Sequence, residues 1–230
     1  MKTVLRHGKL TLALHQLRSG SGRALLRLHG LGERSPRAPS AELADWPGPI
    51  FALDFTGHGE SAIPVGGGYV PELLLADADT ALAHLGAATV IGYGIGAYAA
   101  LMLCGIRSKA VRGAILCDGP GLAGGGSEPG PPTPARSPLS RPGPPDPFAL
   151  LELENDVRPP EFAERFVDMA VQGSGLERPI HLCAASRRPV GVKGVKGVRD
   201  WPAWLRAVRA SAATGEASIS DALVYYADLP

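Results

Sequence analysis

Ala88-Thr89-Val90-Ile91-Gly92-Tyr93-Gly94-Ile95-Gly96-Ala97-Tyr98-Ala99-Ala100-Leu101-Met102 decides the fold. The apolar, β-rich run Ala88–Tyr93 reads as a buried strand, and the Ala/Leu run from Ala97 to about Ile106 reads as a helix. Only a sharp turn at Gly94 separates them. Glycine suits such a turn because it has no Cβ and tolerates positive φ. A strand feeding directly into a helix is the repeating unit of α/β proteins.

The flanking segments repeat that rhythm. Thr3–Arg6 and Leu10–Gln16 alternate around His7-Gly8-Lys9 and predict an N-terminal antiparallel hairpin. Ala24–Leu28 and Ile50–Leu53 read as strands, with a short helix expected over Ala38–Trp46 between them. Pro71–His84 is a helix with Pro at its first position and Gly86 beyond its end. Its apolar residues Leu74, Ala78, Leu82 and Leu85 leave Asp77 and Asp79 expected in solvent. Val111–Cys117 is a further strand. From Gly119 to Pro147, 17 of 29 residues are Gly or Pro, too many for helix or sheet, so an irregular excursion is expected. Helical patterns resume over Phe148–Asp156 and Glu161–Val171. Pro179–Ala184 is a strand, and Asp200–Ala210 and Ser218–Ala227 are helices, the last capped by Ser218 or Ser220. The pattern predicts an α/β fold with a mostly parallel sheet flanked by helices. It divides the chain into a core (1–118 and 178–230), a Pro/Gly-rich linker (119–147) and a small helical cap insertion (148–177).

Composition narrows the function classes. The chain has 230 residues, a formal net charge of +1 and 45% apolar residues. A balanced charge gives no basic face for nucleic acid, and no apolar run is long enough to span a bilayer. With no resemblance to a signal peptide, a cytoplasmic location is expected. Cys104, Cys117 and Cys183 each lie in apolar runs; an odd count without a close pair predicts buried, reduced thiols and no metal site.

Three loops, each directly after a strand, resemble those of the α/β-hydrolase fold family. His29-Gly30-Leu31-Gly32 resembles the HG loop, Asp54-Phe55-Thr56-Gly57-His58-Gly59-Glu60-Ser61 the D-x-x-G-H-G-x-S segment, and Gly92-Tyr93-Gly94-Ile95-Gly96 the G-x-S-x-G nucleophile elbow. The resemblance implies a pocket formed by His29, Gly30, Leu31, Tyr93, Gly94 and Ile95, with oxyanion donors at the backbone N–H groups near Leu31 and at Ile95. It also exposes what is missing. Gly94 stands where the nucleophilic Ser would be, and the C-terminal His base is absent, the last histidine being His181 in a strand. Asp118 is the candidate remnant acid and Asp200 a weaker one. An oxyanion hole alone still leaves about 10³–10⁴-fold catalysis over water.

These readings imply a hydrolase-like protein with a degenerate triad. It would bind a small, partly apolar ligand, use no cofactor, and have no nucleic-acid or membrane partner; the sequence names no protein partner. Two alternatives stay open. One is an atypical active hydrolase of an ester- or amide-like substrate. The other is a dinucleotide-binding protein using Gly92-x-Gly94-x-x-Ala97, with the pyrophosphate at the helix N-terminus. His58 and Ser61 could suggest a Ser–His pair, but they are read as part of a Gly-rich turn shaped by Asp54 and capped by Ser61, and Trp201 and Trp204 as packing anchors. Arg187, Arg188, Lys193 and Lys196 form a small basic loop patch.

Overall fold

The structure, a computed structural model, describes residues 1–124, 143–183 and 201–229. The expected readings at Asp200 and at the basic patch from Arg187 to Lys196 lie outside them, as do residues 125–142 of the Pro/Gly-rich stretch. Eight strands form one sheet in the order β1-β2-β4-β3-β5-β6-β7-β8. They are β1 (Lys2–His7), β2 (Leu10–Arg18), β3 (Ala24–Leu28), β4 (Ile50–Asp54), β5 (Ala88–Tyr93), β6 (Val111–Cys117), β7 (Ile180–Leu182) and β8 (Thr214–Glu216). The β1–β2 hairpin is antiparallel, β2 pairs antiparallel with β4, and every later pairing is parallel. The helices are α1 (Pro71–Leu85), α2 (Ile95–Ile106), α3 (Pro147–Glu154), α4 (Pro160–Ser174), α5 (Ala203–Ala210) and α6 (Ile219–Ala227).

The sheet is buried on both faces, as a parallel sheet requires. On one face Leu26, Leu28, Val90, Ala114 and Leu116 pack with Leu74 and Leu82 of α1, Leu101 of α2, Val167 of α4 and Leu205 of α5. On the other face Leu25, Ile50, Ile91, Ile115 and Cys117 pack with Leu43, Trp46 and, from α6, Leu223 and Tyr226. Alternate residues of one strand serve opposite clusters, the period-two signature of a strand. Helices α3 and α4, between β6 and β7, share the larger cluster through Ala149, Leu153, Ala163 and Ala170, and α4 lies against α2 and α5.

Several local expectations are corrected. The short helix over Ala38–Trp46 is a single 3-10 turn, Ala41–Leu43. Strand β8 escaped notice because Thr214-Gly215-Glu216 is short and polar; pairing with β7 creates it, not an intrinsic pattern. Asp77, expected in solvent, is fully buried. Its carboxylate accepts the Thr56 N–H (2.8 Å) and Oγ1–H (3.1 Å) and pairs with His7 Nδ1 (2.8 Å), tying α1 to β1 and to the loop after β4. Periodicity marks faces, and it cannot see a buried acceptor recruited by a distant turn. Asp79 meets Arg107 of α2's C-terminal cap at 2.7 Å on the surface. Asp77→Ala orphans the two buried donors of Thr56 and is expected to cost about 2–3 kcal/mol by urea denaturation, whereas Asp79→Ala should cost under about 1 kcal/mol.

Candidate functional site

Gly94 sits at the apex of the strand–helix turn with φ 57° and ψ −120°. That backbone region is hostile to any side chain. Its amide donates to the Cys117 carbonyl at 3.1 Å, and its carbonyl accepts from Ala97 at 3.0 Å, starting α2. The space where a Cβ would stand is filled: one built on Gly94 would lie 1.9 Å from the Pro120 carbonyl oxygen.

That oxygen is the centre of the site. Pro120 O accepts the N–H of Leu31 and the N–H of Ile95, both at 3.0 Å. The two donors come from different loops, one after β3 and one after β5, and converge on a single acceptor. Gly121, at φ 75°, lets the strap pass so close to Leu31 that a Cβ there would sit 2.6 Å from the Leu31 Cβ.

The strap leaving β6, residues 119–122, is then fastened from the turn between α3 and α4. Arg158, with its side chain fully buried, donates Nη1 to the carbonyls of Gly121 (2.6 Å) and Leu122 (2.8 Å) and Nη2 to Leu153 O (3.2 Å). Asp156 neutralises it through two bonds of 2.8 Å. The guanidinium lies 5.2 Å over the ring of Tyr98. Trp204 Nε1 donates to the Leu122 carbonyl at 2.9 Å, and its ring meets Tyr98 edge-on at 5.0 Å. A buried cation costs several kcal/mol to desolvate unless paired and fully bonded; this one has both.

The histidines of the two preceding loops are fully committed. His29 Nδ1 faces the Gly30 carbonyl at 2.7 Å, and its Nε2 accepts the Phe55 N–H at 3.1 Å. His58 Nδ1 faces the Thr56 carbonyl at 3.1 Å, and its Nε2 accepts the Gly32 N–H at 3.1 Å. Each geometry assigns a neutral Nδ1–H ring. Burial, helped by neighbouring His58, pushes His29 from its ordinary 6.5 down to about 3. Burial also lowers His58. Ser61 accepts from the Ala13 N–H (2.9 Å) and donates to the Asp54 carbonyl (2.5 Å), shaping the turn. His181 Nδ1 lies 2.9 Å from the Tyr226 hydroxyl, which donates to Arg178 O at 3.1 Å.

Of the residues singled out in the sequence, Gly30, Leu31, Gly94 and Ile95 come together around Pro120. His29 is buried against Phe55 and His58. Asp118 stands half-buried at the root of the strap, its Oδ1 accepting the Gly119 N–H at 2.7 Å. Tyr93 packs on the opposite face with the α6 cluster, under the Arg27 guanidinium at 4.7 Å, where burial raises its pKa. Trp204, read as a packing anchor, is one, while Pro120, Gly121 and Arg158 were missed. Their one available signal was Gly94 itself, since an emptied turn invites another group to fill it. The dinucleotide reading needs a free helix N-terminus for a pyrophosphate; at α2 the Ile95 donor is engaged by Pro120. Among the described residues no group of side chains could hold a metal ion, and no helix is long and apolar enough to cross a membrane. A separate cleft of about 680 Å³ opens beside the HG-like loop. His15, Leu17, Arg34, Pro36, Arg37 and Pro145 are among its lining residues, and those around Pro120 O are not.

The alpha/beta hydrolase family model matches residues 25–228. No curated protein matches the chain significantly. Among solved structures, the thioesterase domain from the curacin biosynthetic pathway is similar at 18% identity, covering 99% of this chain and 97% of that one, with a TM-score of 0.64. An epoxide hydrolase from Vigna radiata matches at 21% identity and a TM-score of 0.46, over 52% of this chain and 40% of that one. Epoxide hydrolase A from Mycobacterium thermoresistibile matches at 22% and 0.45, over 51% and 38%. The match therefore spans well under half the length of these two enzymes.

The histidines set a pH dependence. A His held neutral in the fold binds its proton first in the unfolded chain, so its contribution is present above the unfolded value and is lost as pH falls toward the folded one. Stability is expected to fall as pH drops from about 6.5 toward about 3, the window set by His29. Thermal midpoints across that range check this; a flat profile would contradict it.

Proposed function

This chain belongs to the alpha/beta hydrolase family, and we propose that it binds a small, partly apolar ligand without the serine-based hydrolysis this fold supports. Acyl-transfer chemistry needs a nucleophile, a base, a group to orient the base, and donors for the developing oxyanion. Gly94 supplies no nucleophile. His29 and His58 have both ring nitrogens engaged by backbone groups, and neither can take a proton without breaking the loop it holds.

The observation that carries the reading is Pro120. A peptide carbonyl occupies the two N–H donors of Leu31 and Ile95 at 3.0 Å each, as a substrate carbonyl would. The pocket's own donors are spent on the chain, so even the about 10³–10⁴-fold residual activity of an isolated oxyanion hole is withdrawn. Ligand recognition then moves to the cleft beside the HG-like loop. Leu17, Pro36 and Pro145 offer apolar surface there, and Arg34 and Arg37 offer charge.

A fluorophosphonate probe tests this on the native protein and on Gly94→Ser. Neither is expected to be labelled: the first lacks a nucleophile, and in the second the hydroxyl has no base and meets the strap. A small molecule found by thermal shift should lose its effect in Arg37→Trp. Covalent labelling at position 94, or ester turnover by the native protein, would overturn the reading.

A further inference from the structure

The parallel strands β6 and β7 end with a pair of thiols that the functional reading leaves unused. Leu116 lies opposite Leu182, and the Cys183 N–H donates to the Leu116 carbonyl at 2.9 Å. The next residues along are Cys117 and Cys183. Both side chains join the apolar cluster under α6, and Cys183 is near enough to Cys117 to raise its thiol pKa. Neighbouring strands lie roughly 4.8 Å apart, inside the window of about 4.4–6.8 Å that a disulfide tolerates between Cα atoms. All three cysteines are free thiols, but their settings differ. Cys183 is partly exposed, Cys117 is 2% exposed, and Cys104 is sealed in the other cluster. The sequence shows no close pair because spacing along the chain cannot show that two strand ends are neighbours.

One polar group faces this pair. Arg27, on the same face, has a buried Nη1 with no hydrogen-bond partner. Its charge acts on Cys117 in the direction that stabilises a thiolate, against the larger effects of Cys183, burial and Glu42. A polar atom buried without a partner is costly, and a transient thiolate is an acceptor it can serve.

We propose that Cys117 and Cys183 are a dithiol–disulfide pair, closed by small disulfides of the glutathione class. The accessible Cys183 loses its proton and attacks one sulfur of the oxidant, breaking its S–S bond and releasing one glutathione thiol. Cys117 then gives its proton to solvent and displaces the second glutathione from Cys183. Two S–H bonds are lost, one protein S–S bond forms, and the oxidant is reduced to two thiols. Cys183 beside it, and then burial, hold the Cys117 thiol well above its ordinary value. Closure is therefore the slow step, and it accelerates with pH.

The bridge would sit at the root of the strap. The Cys117 carbonyl accepts the Gly94 N–H, and Pro120 follows three residues later. It would also close the loop that carries α3 and α4 between β6 and β7. Such a crosslink restricts the unfolded chain, and the oxidised protein is expected to melt about 5 °C or more above the reduced form. None of this depends on whether the elbow is silent.

The full chain, freshly reduced and exposed to glutathione disulfide, then quenched, unfolded, alkylated and mapped by mass, tests the proposal. The expected product is a Cys117–Cys183 peptide pair lacking two hydrogens, with Cys104 alkylated. Its rate of closure should rise about tenfold per pH unit between pH 7 and 8. In Cys117→Ser the reaction should stop with glutathione on Cys183, and in Cys183→Ser Cys117 should stay a thiol. A native protein that stops at the mixed disulfide, keeps three thiols, or bridges through Cys104 would overturn it. So would a bridged protein that melts no higher than the reduced one.

Discussion

Everything about this protein's site follows from one carbonyl held by two amides. Pro120 O lies at 3.0 Å from the N–H of Leu31 and of Ile95, donors contributed by loops that meet only because β3 and β5 are neighbours in the sheet. A buried amide left unpaired costs about 1–3 kcal/mol. Two such donors pointing at one spot need an acceptor, whether solvent, ligand or protein. Here the chain provides it, and a glycine at position 94 is the condition, because a Cβ would stand within bonding distance of that oxygen. The absence of a side chain at position 94 and the position of the strap are therefore a single structural fact.

The strap in turn explains the buried charge nearby. Arg158 spends its guanidinium on the strap carbonyls of Gly121 and Leu122, with Asp156 to neutralise it and Tyr98 beneath. Helices α3 and α4 and the turn between them add Leu153, Arg158 and Val167 to the buried interior beside the strap. The same economy appears in the loops after β3 and β4, where His29, His58, Asp54 and Ser61 hold backbone groups in place.

Most of the fold was legible in the sequence because its strands are apolar runs and its turns carry glycine. The strand ends of β3, β5 and β6 fall where hydrophobic pattern and loop chemistry placed them. What escaped were features made by contact between distant segments. Asp77 looked like surface because its helix face is polar, yet Thr56 recruits it inward. Cys117 and Cys183 are 66 positions apart in the chain but adjacent across two strands. Gly119-Pro120-Gly121 read as the start of a featureless Pro/Gly stretch, since composition reports what cannot form helix or sheet and is silent on where a carbonyl points. Gly94 was the legible half of the site, and its partner was not.

Amide hydrogen exchange of Leu31 and Ile95 in the native protein probes the central contact directly. A carbonyl seated on both donors predicts that these amides exchange as slowly as those inside β5, opening only with the sheet around them. Exchange as fast as in an unstructured loop, at either position, would mean that the two donors stand open and that the strap does not fill the site.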